Sequence, residues 1–212
     1  MRGRSGLPNT LHKGHKLKRL LDLTTAGLGL LVLSPVILVL ALVIKLGSHG
    51  PVFYRGERVG LGGSAFLIFK FRTMVIDAEK SGGSSTPKDD PRVTSVGHFL
   101  RKWKFDEVPQ LINVLWGDMS LVGPRPQVRW AVDLYTPEER RLLSVRPGMT
   151  DWASIRFRNE AEILKGSDDP DRKYLEEIAP EKIRLGLSYV DNHSILEDLR
   201  IILATLRSVI IG

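Results

Sequence analysis

Asp106 and Glu107 are neighbours in KFDEVPQLINVLWGDMSLVGPRP, and Pro109 follows them closely. Proline is tolerated in the first turn of a helix but not in its interior, so the spacing predicts a helix that begins close to the two carboxylates. The first turn offers free backbone N–H groups and the positive end of the helix dipole. That setting keeps carboxylates ionised and attracts phosphate. Adjacent helical side chains point about 100° apart. One carboxylate could therefore attack a phosphorus while the other holds a metal. An N-capping Asp followed by a helix-favouring Glu would give the same pattern without any chemistry. Spacing alone does not say which acid would attack.

Basic residues around the pair sharpen the reading. Lys70 and Arg72 alternate on one face of an expected strand, and Arg101 precedes Asp106 by five residues. Arg125 stands between Pro124 and Pro126, which restrain the backbone that carries it. A braced guanidinium suits a bidentate grip on phosphate. Each cation alone is an ordinary surface charge. With the two acids they make a candidate pyrophosphate and Mg²⁺ site.

Other chemistries lack their motifs. There are no cysteines, which removes disulfides, thiolate metal sites and cysteine nucleophiles. Of the five histidines, only the HKGH of His12 and His15 approaches a metal spacing. Neither a P-loop nor a G-x-S-x-G motif is present. GLGGSA imitates a dinucleotide fingerprint through Gly60, Gly62 and Ala65, but strand-like residues follow it where a helix is required. DPD at Asp169–Asp171 offers a D-x-D pair, the basis of a second reading as a metal-dependent glycosyltransferase that releases UDP. A third reading is a non-catalytic membrane scaffold.

Several elements must position these groups. VFYRGERV and AFLIFKFRTM flank GLGG as a β-hairpin. KSGGSSTPKDDPR is a long loop whose length suggests a mobile element over a site. Helices are expected over VGHFLRKWK, from about Asp106 to Gly117, over TPEERRLLSV with Thr136 as its cap, and near 158–165 and 172–186. The last helix, SILEDLRIILATLRSVI, opens with a capping box of Ser194 and Glu197. Its apolar stripe fits either a core-packing helix or one lying in a bilayer interface.

The N-terminal part is of another kind. From Leu20 to Ile44 only Asp22 can ionise. A rise of ~1.5 Å per residue gives this stretch roughly 37 Å, enough for a ~30 Å hydrocarbon core. Yet Ser34 and Pro35 sit near its middle. Pro35 removes a backbone donor and crowds the carbonyl of Leu31, while Ser34 can offer its hydroxyl to the freed groups. A bend there leaves two arms, each too short to cross. The net charge of +7 is local. Residues 1–19 carry Arg2, Arg4, Lys13, Lys16, Lys18 and Arg19 and no acid, whereas the remainder is close to neutral. Such a cluster suits anionic lipid head groups and gives no nucleic-acid surface. A kinked single span is the alternative.

KRLLDL…SPVILVLALVIK, PVFYR, FKFRTM, DDPRVTSVGHFLRKWKFDEVPQLINVLWGDMSLVGPRP, RPGMTDWASI and YVDNHSILEDLRIIL together cover about residues 16–210. In that order they resemble the bacterial sugar transferases, the monotopic phosphoglycosyl transferases. The resemblance implies a mainly helical α+β fold. Residues 1–15 would form a flexible basic N-terminus, and 16–46 a re-entrant membrane helix kinked at Ser34-Pro35. Residues 47–212 would form a compact cytosolic catalytic domain with a small hairpin and amphipathic interfacial helices. It implies transfer of a sugar-1-phosphate from a UDP-sugar to polyprenol (undecaprenyl) phosphate, with release of UMP. Asp106 falls on the nucleophile and Glu107 on the Mg²⁺ partner; Lys70, Arg72, Arg101 and Arg125 would contact phosphates and Arg146 the nucleotide. The expected location is the cytosolic face of the bacterial inner membrane, with membrane lipids and downstream glycosyltransferases as partners. Where many relatives read G-[IM]-T-G-W-A-Q-x-x-G-R-N, this chain reads GMTDWASIRFRN, with Asp151, Ser154 and Phe157 departing.

Overall fold

The computed structural model describes residues 9–78 and 82–211. One long helix, α1 (Asn9–Gly47), precedes a hairpin of β1 (Phe53–Val59) and β2 (Ala65–Phe71). Then come α2 (Ser95–Lys102), α3 (Gln110–Trp116), β3 (Ser120–Val122), α4 (Arg129–Asp133), β4 (Gly148–Thr150) and α5 (Trp152–Arg156). The chain closes through α6 (Glu160–Ile163), α7 (Pro170–Lys173), α8 (Ala179–Asn192) and α9 (Ile195–Ile211). This is a mainly helical α+β chain with two small sheets. The hairpin is antiparallel and pairs Tyr54 with Lys70. The second sheet is the parallel pair β3–β4, joining Ser120 to Gly148 and Val122 to Thr150.

The helix α1 starts at Asn9, ahead of the expected Lys16; residues 1–8 of the basic N-terminus lie outside the described residues. It runs on through Pro35. Ser34 Oγ donates to Leu31 O at 2.8 Å. That carbonyl is the one that Pro35, lacking an N–H, leaves without its helical donor. The side chain restores the lost bond locally. Both sides of Pro35 pack on the same domain. Ala26 joins Ile68, Leu111, Val114 and Met119 in one core cluster, with Leu30 and Leu33 against it. Beyond the proline, Ile44 packs with Phe71 and Leu100, with Ile37, Leu40 and Ala41 alongside. The outward side stays apolar and uncovered at Leu28, Leu31, Val32, Leu38, Val39 and Leu42. Among the described residues this is the single helix long and apolar enough to cross a membrane.

Polar ties anchor the start of α1. Lys18 Nζ reaches Val122 O, the Tyr189 hydroxyl and Asp198 Oδ2, the last at 2.6 Å. Arg19 donates to the Val114 and Leu115 carbonyls, capping the C-terminal end of α3 where cations are favoured. Asp22, the one ionisable group of the apolar stretch, is buried and accepts from Leu121 N at 3.1 Å. Lys18 and Arg19 are therefore spent inside the protein, so the cluster expected at lipid head groups is smaller than the sequence count.

Prolines reshape two expected helices. The segment from Asp106 to Gly117 is a 3₁₀ turn over Phe105–Glu107, then α3 from Gln110, because Pro109 supplies no N–H to a continuous ladder. The stretch near 172–186 divides into α7, a π-turn over Tyr174–Ile178 and α8, with Pro180 in the first turn of α8. The segment after Thr136 is 3₁₀ over Glu139–Ser144. Thr136 caps it as expected, and the structure adds the reciprocal bond of a capping box: Thr136 N donates to Glu139 Oε2 at 2.7 Å, and Glu139 N to Thr136 Oγ1 at 3.3 Å. In α9, Glu197 N donates to Ser194 Oγ as the capping box requires. The helix buries Asp198 and Ile201 and exposes Leu196, Leu199, Leu203, Leu206 and Ile210.

Candidate active site

The two carboxylates sit on a tight turn between two helices. Thr94 caps α2 by accepting from Gly97 N at 3.0 Å. Gly97 lies against the backbone of Thr73, where a Cβ would stand 2.0 Å from Thr73 O. Only glycine allows that approach, and it lets Arg101, one turn later, donate through Nε to Thr73 Oγ1 at 2.9 Å. Lys104 then takes a left-handed conformation with φ of 58°, uncommon for a residue with a side chain. This reverses the chain into the Phe105–Glu107 turn, which is followed by α3. Asn113 of α3 fixes the turn against the hairpin: its Oδ1 accepts from Phe69 N and its Nδ2 donates to Leu67 O, both at 2.8 Å.

Both carboxylate oxygens of Glu107 are held by cations. Lys70 Nζ donates to its Oε1 at 3.2 Å, Arg125 Nη1 to its Oε2 at 3.1 Å, and Arg125 Nη2 closes the fork on Oε1. Arg125 is placed by the close contact of Gly123 and Gly148, where a Cβ on Gly148 would meet Gly123 N at 2.1 Å. Asp106 differs. It is only 7% exposed, and its Oδ1 is buried without a hydrogen-bond partner.

Electrostatics separates the two acids. Burial raises the Asp106 carboxyl above its ordinary value, and the adjacent Glu107 charge raises it further against the pull of Lys70 and Arg101. Burial would raise Glu107 too, but Arg125 and Lys70 outweigh it and hold that group well below the usual carboxylate range. Burial also lowers Lys70 and Arg101 from their ordinary values, opposed by the carboxylates. The site thus offers one locked anion, one under-satisfied carboxylate and an excess of cations. Such an arrangement can receive a diphosphate and can support attack by a carboxylate.

The other sequence candidates fall elsewhere. Arg72 is buried with Nη1 on His49 O at 2.6 Å and Nη2 on Ser48 O and Oγ; it ties the end of α1 to the hairpin and makes no bond to the acid pair. The strand ends at Phe71, so the alternation that put Arg72 beside Lys70 stops one residue short. Arg146 is exposed and donates to Gly117 O at 2.9 Å, at the far end of α3 from Glu107. Asp169 caps α7 by accepting from Arg172 N, and Asp171 accepts from Ser84 N and Ser85 N. Both members of the D-x-D pair have structural work, and no three metal-ligating side chains gather among the described residues.

A cavity of about 220 Å³ opens beside Arg125, lined among others by Gln127, Tyr135, Asp151, Ser154, Tyr174 and Lys182. Lys182 pairs with Glu160 and lies over the Tyr174 ring at 5.1 Å. Nothing in PEKIRLGL distinguishes Lys182 from a surface lysine, so the sequence held no signal for it. Asp151 and Ser154 were visible only as departures from a pattern.

The fold and site are those of a membrane-associated chain that sets a pair of adjacent acids among buried cations. It belongs to the bacterial sugar transferase family, whose profile matches residues 13–212. Over 92% of its length it is 42% identical to the uncharacterized sugar transferase EpsL of Bacillus subtilis, covering 88% of that protein. It is also 42% identical to the exopolysaccharide production protein PSS of Rhizobium leguminosarum, over 91% of this chain and 94% of that one. The UDP-glucose:undecaprenyl-phosphate glucose-1-phosphate transferase of Caulobacter vibrioides is 39% identical over 91% of this chain and 69% of its own length.

Proposed function

We propose that this protein transfers a sugar-1-phosphate from a UDP-sugar to polyprenol (undecaprenyl) phosphate and releases UMP, beginning the assembly of a membrane glycan. The observation that carries this reading is the buried, unpartnered Oδ1 of Asp106 beside a Glu107 held by Lys70 and Arg125. Asp106 Oδ1 attacks the sugar-bearing phosphorus. An O–P bond forms, the P–O bond to UMP breaks, and UMP leaves with the electron pair. The polyprenol phosphate oxygen then attacks the same phosphorus, and the aspartyl–phosphorus bond breaks to restore the carboxylate. Arg125 and Lys70 neutralise charge that spreads over the phosphoryl oxygens, and Arg101 adds to that field. Glu107, strongly ionised, orients both cations.

Mg²⁺ fits the donor set. Glu107 Oε1 is taken by two donors, but Oε2 accepts one bond only and keeps an acceptor direction for a cation. Magnesium commonly binds through one or two carboxylates with substrate phosphates and waters. Glu107 would hold it there, and it would supply further neutralisation of the diphosphate.

The membrane helix is proposed to be re-entrant, kinked at Ser34-Pro35, with both ends on the cytosolic face of the bacterial inner membrane. Packing of both arms of α1 on one domain supports this, as do the basic residues ahead of it. The exposed apolar row of α9 suits an interfacial position beside it. Downstream glycosyltransferases would then take the polyprenol-linked product. Purified protein with Mg²⁺, a short polyprenol phosphate and a panel of UDP-sugars should release UMP. Release of UDP would favour the glycosyltransferase reading, and no nucleotide release from any donor would favour a scaffold.

A further inference from the structure

The cavity beside Arg125 has a location and a chemistry that the transfer reaction does not yet use. Arg125 is its wall on one side and the clamp of Glu107 on the other, so the space adjoins the position of the attacked phosphate. The group bonded directly to that phosphorus is the sugar; the ribose stands a further phosphate away. All residues that line the cavity lie between Pro124 and Ile183, and none belongs to α1. The membrane-borne acceptor and this cavity thus approach the acids from different elements.

Its polar groups suit neutral hydroxyls. Asp151 is buried, and its Oδ1 accepts from Ser154 N at 2.6 Å, while no donor among the described residues bonds its second oxygen. Ser154 Oγ is buried without a partner. The charge of Lys182 is balanced by Glu160, and Glu139 adds another acid to the lining, so the space holds no surplus of positive charge for an anionic group. Apolar surface from Ala131, Leu134, Leu142 and Ile183 faces the same space and matches the C–H faces of a pyranose. Asp151 and Ser154 line the cavity, and the Phe157 ring lies 5.9 Å from the ammonium of Lys182, which also lines it.

We propose that this cavity seats the uncharged sugar ring of the donor, with Asp151 and Ser154 bonding its hydroxyls and setting which UDP-sugar is used. This rests on the phosphoglycosyl transfer reading. A site built to bond a hydroxyl discriminates strongly against a donor that misplaces it.

Asp151→Asn keeps an oxygen for the Ser154 N–H and removes the charge; Ser154→Ala removes the lone hydroxyl. Each should lower kcat/KM for the preferred UDP-hexose by roughly 10- to 100-fold relative to its epimers, the range expected for losing a hydrogen bond to a charged or buried group. Product inhibition by UMP should be unchanged. An unaltered preference, or an equal loss for all donors with weakened UMP inhibition, would overturn the proposal, the latter assigning the cavity to the ribose. Calorimetric titration of the same UDP-sugars gives a readout free of turnover. Wild type that binds selectively but releases no UMP sinks the transfer reading alone, whereas binding selectivity that survives both variants sinks this one. Thermal melts identify a variant that fails to fold, in which case the other carries the test.

Discussion

Arg125 closes on both carboxylate oxygens of Glu107, while Oδ1 of Asp106, the next residue back, is buried with no hydrogen-bond partner among the described residues. Two acids adjacent in sequence are thereby given opposite conditions. One is locked as an anion among cations, and the other keeps an oxygen that no described protein group satisfies.

That asymmetry predicts a division of labour. Asp106→Asn should abolish both turnover and any covalent adduct, since the amide keeps the shape but not the nucleophilic charge. Glu107→Gln should retain a residual rate that rises with added Mg²⁺. Trapping with a UDP-sugar in the absence of acceptor, then peptide mass spectrometry, locates the phosphosugar; finding it on Glu107 would reverse the roles.

The acid limb of the rate should report Asp106. Burial and the Glu107 charge raise its carboxyl from the ordinary aspartate value, and the ionised form attacks, so activity should disappear as pH falls through that raised value. Lys70 lowers the group and Glu107 raises it. Lys70→Met should therefore move the limb to higher pH, and Glu107→Gln should move it to lower pH. Residual rates of adduct formation between pH 4 and 8 measure both shifts, roughly within the usual span of such perturbations.

Stability should run the other way. A folded-state value above the unfolded one means stability is fully present below the unfolded value and is lost as pH rises through the folded one. Asp106→Asn lacks that loss. It should melt higher than wild type at pH 7.5, by about 2–4 °C if the relief is ~1 kcal/mol. Equal melting temperatures at pH 7.5 would show that the buried charge carries no net cost.

Arg125→Lys should cost about 10²-fold in kcat or more, because an ammonium cannot reproduce the two-pronged geometry. The same substitution at Arg146, exposed and bonded only to Gly117 O, should leave kcat within about threefold, as for an ordinary surface site.

Topology has its own test. A cysteine placed at position 5 in the otherwise cysteine-free chain should resist an impermeant thiol reagent in intact cells and react after lysis. Labelling in intact cells would instead mean that α1 crosses the bilayer once.

The sequence by itself determined what depends on local chemistry. The long apolar run, the hairpin around GLGG, the cap at Thr136, the capping box at Ser194 and the Asp106–Glu107 pair were legible because periodicity, backbone donors and turn residues act over a few positions. Arg125 was legible because its neighbouring prolines restrain it. Tertiary structure alone decided which cations meet. Lys70 and Arg125 come from segments 55 residues apart and converge on Glu107, whereas Arg72, two residues from Lys70, turns away to the end of α1 because the strand stops at Phe71. Lys18 and Arg19 read as lipid-facing charges until distant carbonyls and Asp198 claimed them. The cavity beside Arg125 is a product of the same folding, which gathers Asp151, Ser154 and Lys182 from different elements. Contacts between distant segments depend on how whole elements pack, and no local pattern of residue types encodes that.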